Sequence, residues 1–200
     1  MENIAENITK YMIKKNIIEE NQLETYIYCF IILLSTLINL ALVIAIGIIF
    51  EQIAFAIIFA ICFIGLRHFA GGYHAKNHLS CISTILGLAI VGNLGIKYFL
   101  EQYIVLIIAS MNVVSVITFI LLAPIENVNK PLSSEEVKQN RKMSIIGIFI
   151  VASISSILMI INIDYVYPYA VSYTMIVVAE LLVLGKMCLN KSKTEIDINK

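Results

Sequence analysis

Long apolar runs alternate with short polar breaks along most of the chain. A bilayer interior about 30 Å thick admits only segments that satisfy their own backbone hydrogen bonds, so each run is expected to be a helix. The pattern therefore predicts an all-α, polytopic membrane protein with six transmembrane helices. The apolar runs are Thr25–Phe50, Ile53–Leu66, Leu79–Leu100, Tyr103–Ala123, Met143–Ile163 and Pro168–Leu189.

The second run is the shortest. Ile53–Leu66 would form a helix only about 21 Å long. It crosses the bilayer if residues from Gly47–Gln52 join it or if the membrane thins locally. The expected turns and loops between the runs are Glu51-Gln52, Glu101-Gln102, the polar loop 124–142 and Asp164–Tyr167.

The two ends of the chain are polar. Residues 1–24 mix lysines with glutamates and place Ile4, Ile8, Tyr11 and Met12 at helical spacing, which predicts an amphipathic interfacial helix or a solvated leader. The interspersed acids and the lack of a small-residue cleavage site argue against a signal peptide. Residues 25–189 are expected to form a single membrane domain, followed by a disordered cytoplasmic tail over 190–200.

Composition supports this class, since 60% of the residues are hydrophobic and 14% are charged. With the N-terminus inside, every lysine and arginine except Lys97 falls in an inner segment. The positive-inside rule then predicts that both termini are cytoplasmic and that residues 67–80 lie at the cytoplasmic face. The absence of a basic patch excludes a nucleic-acid binder. The four cysteines show no CxxC spacing, which argues against a disulfide scaffold.

The stretch 67–81 reads RHFAGGYHAKNHLSC and holds all three histidines. A histidine can take the proton of a cysteine thiol, and the thiolate can then attack a carbonyl carbon to give an acyl-enzyme thioester. On one continuous helix His74 and Cys81 would be about 10 Å apart, against the ~3 Å that proton transfer needs. The chain must therefore bend between or before them.

Gly71 and Gly72 permit such a bend, because glycine adopts backbone conformations that other residues avoid. Asn77 or Ser80 could then cap the following helix, with Cys81 in its first turn. Backbone N–H groups there would favour the thiolate and could form an oxyanion hole.

Two other interpretations compete for these residues. Spacing alone favours Cys81 as a packing residue with interfacial histidines. Alternatively, His74 and His78 have the spacing of two zinc ligands on one helix, with His68 or Cys81 as a third. No acidic residue lies in 52–100, however, so a metal-bound water would lack a local base.

The stretch RHFAGGYHAKNHLSC resembles the signature of the AgrB family, the accessory gene regulator membrane endopeptidases of Gram-positive quorum sensing. The family pattern of an arginine, a Gly-Gly turn, a catalytic histidine and a catalytic cysteine is matched by Arg67, Gly71-Gly72, His74 and Cys81. A second patch, APIENVNKP at 123–131, resembles the segment after the family's fourth span. The resemblance covers nearly the whole chain and favours the thiol interpretation.

The resemblance implies that Cys81 attacks the scissile carbonyl of an AgrD-like propeptide, with His74 as the base. An internal cysteine or serine of the peptide would then take the acyl group and close a thiolactone or lactone ring. It also implies a multi-pass protein of a Gram-positive cell membrane, a homodimer, and no metal or cofactor. The alternatives are a non-hydrolytic peptide exporter and a membrane zinc protease using His74 and His78.

Further residues are candidates for supporting roles. Arg67 is expected to pair with a carboxylate or to anchor a helix end. Asn77 and Glu126 are candidates for orienting His74. Glu180 is the single carboxylate well inside an apolar run, and we expect it to pair structurally with Arg67 or Lys186.

Four cations of the 124–142 loop are candidates for attracting an acidic propeptide tail, although each also serves to set the topology. They are Lys130, Lys138, Arg141 and Lys142. Asn39, Asn93 and Asn112, which lie within the spans, are expected to form hydrogen bonds between helices.

Overall fold

The computed structural model describes residues 2–15, 17–72, 78–98, 101–125, 133–161 and 164–198, without the side chains of residues 2, 78, 79, 81, 101, 102 and 191–198. Within these ranges all regular secondary structure is helical, apart from one isolated backbone bridge. The prediction of an all-α chain is therefore confirmed. The helices are α1 (Glu2–Lys14), α2 (Leu23–Ile49), α3 (Ile53–Ala70), α4 (His78–Tyr98), α5 (Glu101–Leu122), α6 (Ser134–Ile160) and α7 (Val166–Ile198), and a short 3₁₀ turn at Glu20–Gln22 precedes α2.

Five helices in the described ranges, α2, α3, α5, α6 and α7, are long and apolar enough to cross a membrane. The protein is therefore a multi-pass membrane protein. In α4 the apolar part with described side chains, Ile82–Tyr98, is shorter. A sixth crossing by α4 stays a prediction.

The last helix, α7, is the centre of the bundle. It packs against α3, α5 and α6 and, over a smaller area, against α4. In its apolar window 61% of the residues are buried, against 17% to 33% in the other four candidate spans. Helix α2 lies at the periphery, against α1, α3 and α4.

A column of stacked aromatic rings joins α3 to α7. Phe55, Phe59 and Phe63 recur every fourth residue, so their rings lie on one face of α3. The ring centroids are 5.9 Å apart for the first pair and 5.6 Å apart for the second. Tyr169 and Tyr173 of α7 complete this aromatic column.

A buried polar junction holds α5, α6 and α7 together. Asn112 donates to Ser155 Oγ at 3.1 Å and accepts from Ser172 Oγ at 2.7 Å. The two serine oxygens are themselves 2.7 Å apart. The predicted interhelical role of Asn112 is thus confirmed, whereas Asn93 donates its amide to Ala89 of its own helix.

The helices α3 and α5 differ from the expected boundaries. Helix α3 continues through Arg67 and His68 to Ala70. The cationic side chain of Arg67 in this last turn suits the negative end of the helix dipole, which explains the extension. The expected turn at Glu101-Gln102 is instead the start of α5.

The polar loop predicted over 124–142 is helical from Ser134 onward. Ser133 and Glu136 form a capping box, in which each side chain accepts from the other's backbone N–H, at 3.3 Å and 2.8 Å. The tail predicted to be disordered continues α7 to Ile198. No glycine or proline after Gly185 interrupts that helix.

The predicted leader contains a helix, α1, that packs on α2. Its buried positions are Ala5 and Thr9. Ile4 and Tyr11, which were expected on the membrane-facing side, are exposed and therefore available to lipid. The interfacial position of α1 stays a prediction.

Candidate active site at the glycine-glycine turn

The sequence Gly71-Gly72 ends α3 in a conformation that side chains disfavour. Gly71 has φ 67° and ψ −135°, and Gly72 has φ 110°. The Gly71 N–H still donates to the Arg67 carbonyl at 3.1 Å, so the helix closes before the chain turns. Only glycine adopts such angles without steric cost, so α3 ends in a turn at this pair. The bend that would bring His74 to Cys81 stays a prediction.

The turn is hydrogen-bonded to the segment that follows α5. The Ile125 N–H donates to the Ala70 carbonyl at 2.9 Å, and the Gly72 N–H donates to the Ile125 carbonyl at 3.4 Å. These bonds form a parallel bridge between Gly71 and Ile125. The two sequence patches 67–81 and 123–131 therefore meet at this point.

Backbone atoms surround the turn closely on two sides. A Cβ on Gly71 would overlap the Ile125 carbonyl oxygen. A Cβ on Gly72 would lie 3.0 Å from the Leu181 carbonyl oxygen of α7. Because backbone atoms cannot move aside as a flexible side chain can, neither glycine has room for a side chain.

Arg67 spans the turn that it precedes. Its Nη1 donates to the Gly71 carbonyl at 3.3 Å, and its guanidinium lies 5.7 Å from the centre of the Phe63 ring. Arg67 thus continues the four-residue spacing of the aromatic column, which fixes the arginine from one side. To its expected roles as an anchor or a carboxylate partner, the structure adds that of holding the turn.

Helix α4 is described from His78 onward, and Cys81 is its fourth residue. This agrees with the prediction that it lies in a first helical turn. The side chains of Cys81 and His78 lie outside the described part of the structure, as do the whole of His74, Asn77, Glu126 and Lys130. The proximity of His74 to Cys81 stays a prediction.

Three of the four candidate cations lie on the first turns of α6. Lys138, Arg141 and Lys142 are exposed. A Cβ on Gly147 of α6 would lie 3.8 Å from Leu66 of α3, so the two helices are level there. Each residue of a helix advances about 1.5 Å. Counted back along α6 from Gly147 and forward along α3 from Leu66, the three cations and the glycine turn lie at about the same depth.

Glu180 lies at the depth of Cys81. Tyr173 Oη donates to the Leu88 carbonyl at 2.7 Å, which sets α7 level with α4 at that point. Glu180 is seven residues beyond Tyr173, and Cys81 is seven residues before Leu88. Both are therefore about 10 Å from that bond, toward the end of the bundle that carries the glycine turn.

The expected structural pairing of Glu180 does not occur. Within the ranges that the structure describes, Glu180 makes neither an ion pair nor a hydrogen bond, so Arg67 and Lys186 are not its partners. Its carboxylate is exposed on the surface of the bundle. Glu180 follows Tyr169, Tyr173 and Ile176 on one face of α7, and these four residues line one groove.

Sequence reasoning missed the backbone partners of the turn. Ile125 and Leu181 contribute through their carbonyl groups, which every residue has, so side-chain chemistry gives no signal for them. The role of Arg67 could have been found, because Phe55, Phe59 and Phe63 precede it at a constant four-residue spacing.

These features define a helical, multi-pass membrane protein with a rigid glycine turn and several cations at one end of the bundle. The chain belongs to the accessory gene regulator B (AgrB) family, whose sequence profile matches residues 5–184. Membership links the chain to the processing of accessory gene regulator quorum-sensing peptides.

Two relatives come from Clostridium perfringens. AgrB-like protein 2 of strain 13 / Type A is 27% identical over 173 residues, which cover 80% of each chain. An AgrB-like protein of strain SM101 / Type A is 26% identical over 175 residues, covering 82% of this chain and 81% of the relative. No solved structure matches the chain.

Proposed function

We propose that this protein is a membrane cysteine endopeptidase that cleaves an AgrD-like propeptide and supports its cyclisation. The observation that carries the proposal is the fixed glycine turn, followed by a helix whose fourth residue is Cys81. Family membership gives the substrate class. The products are a thiolactone or lactone precursor of an autoinducing peptide and the released C-terminal part of the propeptide.

The reaction begins with transfer of the Cys81 thiol proton to His74. The thiolate attacks the scissile carbonyl carbon, and His74 returns the proton to the leaving amine as the peptide bond breaks. An internal cysteine or serine of the bound peptide then attacks the Cys81 thioester. A new thioester or ester bond closes the ring, and the Cys81 thiol is regenerated.

The start of α4 supports this chemistry. The N–H groups at the start of a helix have no partner within the helix, and His78 to Ser80 are the first three residues of α4. Such groups favour a thiolate and stabilise a developing oxyanion. A site at a membrane face also limits water, which favours ring closure over hydrolysis of the thioester.

The rigid turn favours an arrangement in which His74 reaches Cys81. Bonds to Ile125 and close contact with α7 hold one end of the connection between α3 and α4, so less entropy is lost in bringing the pair together. Asn77 and Glu126 are the candidates for orienting His74. Arg67 acts by holding the turn.

The exposed cations of α6 support recognition of an acidic peptide tail. Lys138, Arg141 and Lys142 share the depth of the turn, and Lys130 belongs to the same polar segment. Opposite charge would raise the rate at which the propeptide associates with the site. Recognition of a peptide made in the cytosol requires that both termini and the site be cytoplasmic. We further propose that the protein is a homodimer in a Gram-positive cell membrane.

The test uses purified protein in lipid nanodiscs with an AgrD-like propeptide as substrate. Cys81→Ala and His74→Ala should each abolish cleavage without changing the elution profile. Cys188→Ala is the matched control, because this exposed cysteine lies on α7, outside the 67–81 stretch. Chelators should have no effect.

Other outcomes identify the rival functions. Loss of cleavage on chelation, together with an active Cys81→Ala variant, would establish the zinc protease that uses His74 and His78. Transport of the peptide into sealed vesicles, without cleavage by any form of the protein, would establish the exporter. A mostly linear, hydrolysed product would refute the assistance to cyclisation.

A further inference from the structure

A groove of about 440 Å³ lies between α4, α5 and α7. Its floor is a stripe of α7 formed by Tyr169, Tyr173, Ile176 and Glu180, and one wall is the part of α4 from Val91 to Tyr98. This volume is within the range of about 300–1,000 Å³ that is typical of ligand-binding clefts in proteins.

The groove is apolar except at one end. The stripe on α7 extends about 16 Å from Tyr169 to Glu180, because these residues are separated by eleven positions along the helix. Glu180 lies at the end of the stripe nearest the glycine turn, since the carbonyl of the adjacent Leu181 is beside Gly72. The groove is therefore long and apolar, with a single carboxylate at the end nearest the glycine turn.

That carboxylate lacks a counter-charge in the part of the chain that the structure describes. An ionisable group within a membrane span is costly unless it is paired or neutralised. A cationic group on a ligand would pair with the carboxylate in an environment of low dielectric constant, where such a pair is stronger than in water. Charge complementarity therefore selects an apolar ligand with one positive charge.

The groove is also aligned with the candidate nucleophile. Glu180 and Cys81 lie at the same depth, and the α4 wall begins at Val91, ten residues or about 15 Å along the helix from Cys81. An extended peptide advances about 3.3 Å per residue, so about five residues would fill the stripe. Alternate side chains would point into it.

We propose that the groove binds an extended, apolar segment of the substrate peptide, with a lysine or arginine of that segment paired to Glu180 close to the scissile bond. The inference rests on the proposed function for the identity of the ligand. It assigns Glu180 to substrate positioning in place of the structural pairing that the sequence suggested.

The experiment measures binding to the Cys81→Ala protein in nanodiscs, so that it does not depend on cleavage. The probes are two short apolar peptides with one photo-crosslinking residue, identical except for a single lysine or norleucine. The lysine peptide should crosslink to the Val91–Tyr98 part of α4. Glu180→Gln should weaken its binding about tenfold or more and leave the norleucine peptide unchanged.

Matched variants separate the groove from general effects on the protein. Glu51→Gln removes an exposed carboxylate at the turn between α2 and α3 and should not alter binding. Gly95→Leu fills the groove and should weaken both peptides. Gly87→Leu adds the same side chain to α4 where nothing lies within 4 Å, and should weaken neither.

The inference would be overturned if the lysine peptide bound the Cys81→Ala protein no more tightly than the norleucine peptide did, and if Glu180→Gln changed neither affinity. Crosslinks that map outside the groove would also overturn it. A phospholipid retained in the groove and not displaced by the lysine peptide, seen by native mass spectrometry, would also overturn it. If the lysine peptide binds as expected but wild-type protein cleaves no propeptide, the proposed function fails while the groove remains a peptide site.

Discussion

Replacing Gly71 by alanine should disrupt the candidate active site while leaving the helical bundle intact. A side chain at φ 67° and ψ −135° costs about 1–3 kcal/mol in backbone strain. The new Cβ would also overlap the Ile125 carbonyl oxygen, so the turn must move and its bonds to that segment weaken by about 1 kcal/mol each. A combined cost of about 3 kcal/mol shifts the equilibrium between the closed and the open conformation of the turn about a hundredfold toward the open one.

Gly65→Ala is the matched control, because Gly65 is on the same helix and nothing lies within 4 Å of its added Cβ. In nanodiscs, Gly71→Ala should lower the rate of propeptide cleavage about a hundredfold, and Gly65→Ala should leave it unchanged. The alkylation rate of Cys81, with the other cysteines replaced, gives a readout independent of substrate and should change only in Gly71→Ala. A Gly71→Ala protein with wild-type cleavage and alkylation rates would refute the reasoning.

Three further substitutions test the surroundings of the turn and the bundle. Arg67→Lys should lower cleavage about tenfold without unfolding the protein, because lysine keeps the charge but lacks the planar donor fork; wild-type activity would leave only the anchoring role. Gly92→Leu should destabilise the bundle by about 1–3 kcal/mol, since a Cβ at Gly92 meets two rings of the aromatic column; an unchanged melting temperature, equal to that of Gly87→Leu, would contradict this. Asn112→Leu should lower thermal stability by about 1–2 kcal/mol by leaving two buried serines with fewer partners, and unaltered unfolding would show that the polar junction contributes nothing.

The helices could be predicted from the sequence because lipid imposes a simple requirement on every span. Apolar runs of sufficient length become helices, and α2 differs from its predicted run by only a residue or two at each end. Helix ends were harder to predict, because the ends of α3, α6 and α7 lie in polar segments where apolarity gives no signal. There, the capping box at Ser133 and the helix dipole near Arg67 decide the boundary.

The candidate site could be predicted only in part. Gly71-Gly72 indicated a bend, because the side-chain-free residue itself carries the signal. The partners of that bend, Ile125 and Leu181, could not be predicted, since contacts between backbones distant in sequence depend on tertiary packing. The position of Glu180 beside Tyr173 and Ile176 at the border of the groove follows from its helical phase, which the search for a charged partner did not take into account.

In the proposed mechanism, Cys81 carries the peptide as a thioester. Mass spectrometry of wild-type protein, quenched in acid soon after mixing with the propeptide, tests it most directly. The peptide containing Cys81 should gain the mass of the N-terminal part of the propeptide. Hydroxylamine should remove this adduct, and His74→Ala should prevent its formation. Cleavage that proceeds with no adduct on Cys81, or with an adduct on Cys188 instead, would rule out Cys81 as the nucleophile.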